Sequence, residues 1–66
     1  MEEYTKAELE AAVRSISSSI RKIEKAHDTL SKKHPLPKAQ LTLARRNLDA
    51  LRLALSLIER ELEKHT

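Results

Sequence analysis

The apolar positions of this 66-residue chain form two seven-membered sets that mirror each other about one Pro-Leu-Pro segment. The first set is Leu9, Val13, Ile16, Ile20, Ile23, His27 and Leu30, with His27 as its polar member. The second is Leu41, Ala44, Leu48, Leu51, Leu55, Ile58 and Leu62. Within each set the steps are of three and four residues, the spacing of an α-helix that lays one stripe against a partner helix. Counted outward from the turn, 30 faces 41, 27 faces 44 and so on to 9 facing 62, each pair summing to 71. Only a chain folding back at Pro35-Leu36-Pro37 brings both sets into one seam. The pattern therefore predicts an all-α fold of one domain over residues 1–66. It is an antiparallel two-helix hairpin, with helix 1 over about 5–33, a Pro-x-Pro turn at 34–37 and helix 2 over about 38–64.

Local chemistry agrees with these elements. Thr5-Lys6-Ala7-Glu8 reads as a capping box, and Tyr4 and Leu9 fall at the two positions of a hydrophobic staple. Lys32 and Lys33 suit the negative end of helix 1. His34 and Leu36 each precede a proline, which disfavours helical backbone there, and Pro37 can open helix 2 because a first-turn residue needs no N–H partner. The alternation in Leu51-Arg52-Leu53-Ala54-Leu55-Ser56-Leu57 could belong to a strand. The segment is rich in Leu and Ala, however, and keeps the three-four spacing on both sides. On a helix the alternation produces a second apolar row, Leu43, Ala50 and Leu57, with Leu53 and Ala54 beside it, far round from the seam.

In heptad terms the seam occupies positions a and d. The neighbouring g positions are Ala12, Ser19 and Ala26 on helix 1 and Gln40, Asn47, Ala54 and Glu61 on helix 2. That flank is paved mostly with small side chains and bordered by the second apolar row. The opposite flank sets Ser17, Glu24 and Ser31 against Lys38, Arg45 and Arg52, which is a solvated face. One flank is thus suited to close helix approach. The expected oligomer interface comprises Ala12, Ser19, Ala26, Leu43, Asn47, Ala50, Leu53, Ala54 and Leu57, and the expected assembly is a homodimeric four-helix bundle. Chain length points the same way. A hairpin this short buries its seam only in part, and with no Cys to staple it, oligomerisation is the remaining source of stability.

Composition excludes several classes. Gly is absent and aromatic content is a single tyrosine, so the core is aliphatic and bundle-like. No apolar run reaches membrane-spanning length and the acidic N-terminal stretch lacks the pattern of a signal peptide, so the expectation is a cytoplasmic protein with no membrane partner. Net charge is +3 but unevenly spread. Residues 14–52 carry ten Lys/Arg against three acids, whereas residues 1–13 sum to −3 and residues 53–66 to −1. The turn end is basic and the open end, with Glu8, Glu10, Glu59, Glu61 and Glu63, is acidic. This favours a head-to-tail dimer that lays each basic tip beside the partner's acidic end.

Candidate chemistry is sparse. Lys32, Lys33, Lys38, Arg45 and Arg46 at the tip are a possible phosphate-contacting set. A hairpin that dimerises into a four-helix bundle resembles in architecture the Rop family, and the resemblance implies binding to paired RNA loops; no sequence motif is shared. Against nucleic acid, no aromatic is placed to stack on bases, and acids at 24, 28 and 49 dilute the cations. Glu24-Lys25-Ala26-His27 has the Glu-x-x-His spacing of di-iron bundles, but helix 2 offers no inward carboxylate at that level. His27 opposite Ala44 reads better as a polar seam residue that fixes register. No cofactor is implied, and no nucleophile–base pairing or Gly-rich loop suggests an enzyme. Ser15, Ser17, Ser18 and Ser19 form a low-bulk patch that weakens helix propensity. The expected role is a non-enzymatic interaction or assembly protein. The alternatives are an RNA-binding bundle and a regulatory subunit that docks a partner helix on the second row.

Overall fold

The computed structural model describes residues 3–65. It consists of helix α1 (Lys6–Ser31) and helix α2 (Lys38–Glu63), packed side by side as a hairpin, with no strand among the described residues. The molecule measures 48 × 19 × 15 Å, one helix thick in its shortest direction.

The start of α1 is set by the capping box. The Glu8 backbone N–H donates to Thr5 Oγ1 at 3.1 Å, and the Thr5 N–H donates to Glu8 Oε1 at 3.0 Å. These bonds occupy two groups that the first helical turn leaves unpaired. The other end of α1 differs from the expectation of about Lys33: the helix closes at Ser31, with Lys32 as its cap. Its last N–H groups switch to the tighter i→i−3 pattern, Lys32 to the Thr29 carbonyl and Lys33 to the Leu30 carbonyl. The hydroxyls of Thr29 and Ser31 turn back onto the carbonyls of Lys25 and Asp28 at 3.1 and 2.7 Å. Such back-bonding competes with a regular last turn. Pro37 stands just before α2 as its cap, without a side-chain hydrogen bond, and its carbonyl accepts the Leu41 N–H at 3.0 Å.

The seam forms as its periodicity requires. All fourteen seam residues are buried or half-buried, and only Ala12, Ser17, Ser18, Ser19, Pro37 and Ala54 join them among the described residues. Three side chains are fully covered: Leu9 at 6% exposure, Ile20 at 9% and Leu48 at 5%. The rest remain half open because each helix covers only one side of the other's stripe. The chain exposes 5449 Å² in all. A compact monomer of 7.5 kDa would expose about 4,200 Å².

Candidate interaction surface

Helix α2 presents two faces. Its a and d positions enter the seam, and its c, f and g positions turn away. On the outward face Leu43 is 60% exposed, Leu53 63% and Leu57 55%. Ala50 lies exposed between them and Ala54 is half-buried. Leu43, Ala50 and Leu57 recur at seven-residue spacing, so helix geometry puts them on one face, with Leu53 and Ala54 beside them toward the end of the row. Across the seam the small-residue flank of α1 continues the stripe, with Ala12 and Ser19 half-buried and Ala26 exposed. Asn47 is exposed at the middle of the same flank. Of the nine residues of the expected interface, Leu43, Asn47, Ala50, Leu53, Leu57 and Ala26 are exposed and Ala12, Ser19 and Ala54 half-buried. Three large leucines uncovered on one helix are more than the scattered surface apolars of an ordinary monomer.

The opposite flank is polar and internally paired. Arg52 Nη2 donates to Glu24 Oε2 at 2.7 Å, which links the two helices. This contact engages the carboxylate of the Glu-x-x-His spacing. His27 is half-buried in the seam, while His34 and His65 are exposed. No group of three or more His, Cys, Asp or Glu side chains suited to a metal ion lies among the described residues. The tip cations are all exposed, and two have acidic neighbours along their own helix. Lys32 Nζ lies 3.2 Å from Asp28 Oδ2, and Arg45 Nε lies 3.7 Å from Asp49 Oδ1. With their side chains about two-thirds open to water, these pairs neutralise charge locally but add little stability.

Among the serines, Ser17, Ser18 and Ser19 are half-buried. Ser18 points away from the seam on an ideal helix.

The structure adds a feature that seam periodicity does not reveal. At the open end a hollow of about 740 Å³ lies between Glu3, Tyr4 and Leu9 on one side and Leu57, Ile58, Glu61 and Lys64 on the other. A smaller one of about 340 Å³ extends it along Tyr4, Glu8, Leu9, Ala12 and Ile58. The floor is apolar and the rim is largely acidic. Two backbone and side-chain contacts with Thr5 hold the Glu8 carboxyl below its ordinary value, the backbone N–H contributing most. At the other end of the hairpin Leu36 is 46% exposed between its two prolines. The signals for both features were Tyr4 at a staple position and a leucine isolated among turn lysines.

No helix among the described residues is long and apolar enough to cross a membrane. Compared with protein families, curated proteins and solved structures, the chain matches none at a significant level.

Proposed function

We propose that this chain is a non-enzymatic interaction and assembly protein whose working form is an antiparallel homodimer, a four-helix bundle joined through the outward face of α2. The observation that carries this reading is surface area. The hairpin exposes 5449 Å², roughly 1,200 Å² more than a compact chain of its mass. One partner in a standard protein–protein interface buries about 800 Å². The excess is thus of the size that one docking event covers, and Leu43, Leu53 and Leu57 supply the apolar part of it. The small side chains at 12, 19, 50 and 54 allow a second helix to approach closely. Opposite charge at the two ends selects the head-to-tail arrangement over one that stacks like charges.

Light scattering with absorbance at 260 nm recorded across the same peak tests this reading. A mass near twice 7.5 kDa, free of nucleic acid, is the expected result. Ala50→Glu places a carboxylate at the centre of the stripe and should reduce the mass to that of a monomer while helical content persists. A full-size oligomer from this variant places the interface elsewhere. A 260 nm excess that salt removes would favour RNA binding through Lys32, Lys33, Lys38, Arg45 and Arg46, and a monomeric wild type would favour a foreign helix on the stripe.

A further inference from the structure

We infer that Leu36, at the turn of one copy, seats in the open-end hollow of a second copy, against Tyr4 and Leu9. The inference rests on the antiparallel dimer proposed above and adds the contact that fixes its register. Three observations converge on it.

The first is shape. Pro35 and Pro37 restrict the backbone on both sides of Leu36, and the Lys38 N–H donates to the Leu36 carbonyl at 2.9 Å. The turn therefore presents its leucine on a stiff support, and little freedom is lost when that side chain is buried. The hollow, about 740 Å³ and open to solvent, has room for it over an apolar floor.

The second is charge. Exposed lysines at 32, 33 and 38 flank Leu36. Glu3, Glu8 and Glu61 stand around the hollow. Glu61 already lies 3.4 Å from Lys64 of its own chain and Glu8 accepts the Thr5 N–H, so both meet the incoming lysines as carboxylates already held in place at the edge of the hollow.

The third is distance. Placing the two-fold axis at Ala50 sets each Leu43 beside Leu57 of the second copy. The same register sets Lys38 opposite Leu62, twelve positions and about 18 Å along the helix from Ala50, and Leu36 stands two residues beyond the start of α2, at the level of Lys64. Lys64 lines the hollow. The register that matches the leucines of the stripe thus brings the turn to the end of the second copy where the hollow lies. Two-fold symmetry makes the contact twice per dimer.

The chain has no cysteine, so single cysteines report this contact cleanly. Leu36→Cys protein is mixed with Lys64→Cys protein carrying a mass tag, equilibrated and mildly oxidised. A disulfide-linked mixed dimer is expected, with little Leu36→Cys joined to itself. Self-linkage of Leu36→Cys would show a parallel dimer and overturn the inference. A dimeric mass without mixed linkage would overturn it too, while the dimer itself stood; a monomeric mass for the wild type would remove the dimer and the contact together. As a second measurement, Leu36→Asp should weaken dimerisation roughly ten- to hundredfold, since the dimer loses two contacts and each would have covered the exposed half of a leucine. The circular dichroism of its monomer should not change, since Leu36 lies outside both helices. Unaltered dimerisation would count against the contact.

Discussion

Two leucines on one helix, equal in chemistry and opposite in setting, give the sharpest test of the seam. Leu48 is 5% exposed between the helices, and Leu53 is 63% exposed on the outward face of α2. Leu48→Ala removes three carbons from contact, about 2.4 kcal/mol at ~0.8 kcal/mol each. A cavity adds to this where the surroundings cannot relax. Here the molecule is only 15 Å thick in its shortest direction, so the vacated space lies within a side chain of solvent and neighbouring aliphatic groups can settle into it. The expected loss is therefore about 2.5–3 kcal/mol, near the low end for buried leucines. A domain of this size has total stability on the order of 3–10 kcal/mol, so the variant should be visibly crippled. Leu53→Ala forfeits at most the covered third of its side chain, below about 1 kcal/mol within one hairpin. The assay is urea unfolding followed by circular dichroism at several protein concentrations. With a slope of about 1 kcal/mol per molar urea, Leu48→Ala should lower the midpoint by roughly 2.5–3 M. Its deficit should hold at every concentration. That of Leu53→Ala should shrink on dilution, because part of it arises from the second copy. Equal midpoints for the two variants would refute the seam.

The remaining predictions concern the cap and the cross-helix ion pair. The bonds from Thr5 lower the folded-state pKa of Glu8 from its ordinary 4.5. Its contribution to stability is therefore present above that value and is lost as pH falls through the folded pKa. Glu8→Gln should melt below wild type at neutral pH, and the gap should close in strong acid; a gap independent of pH would contradict the capping assignment. For Glu24 and Arg52, whose side chains are 46% and 51% exposed, a double-mutant cycle should return a coupling of about 1 kcal/mol or less. High salt should reduce it further, and a coupling that salt leaves unchanged would mean the pair is shielded in a way the hairpin alone does not provide.

The hairpin was legible in the sequence because its determinants are local and periodic. Three-four spacing names the stripe of each helix, the mirrored numbering names the partner of each residue, and two prolines mark the reversal. All fourteen seam positions are shielded accordingly. The capping box at Thr5 and Glu8 was equally readable, since it needs only four consecutive residues. The end of α1 was less so. Lys32 and Lys33 are compatible with a last helical turn, but the back-bonded hydroxyls of Thr29 and Ser31 accompany a tighter ending two residues earlier.

Other features belong to the tertiary structure alone. Periodicity placed Glu24 and Arg52 on one flank with Ser17, Ser31, Lys38 and Arg45; the 2.7 Å bond between side chains 28 positions apart depends on how the two helices sit together. The outward leucines were recognisable as a row, but their 55–63% exposure follows from α1 covering only one side of α2. The open-end hollow depends on where Tyr4, before the first helix, comes to lie against Leu57 and Ile58 near the end of the second. A stripe is a property of one helix and repeats along the chain, so sequence determines it. A hollow or a cross-helix bond is a property of the distance between two helices, and that distance is decided only when their side chains pack.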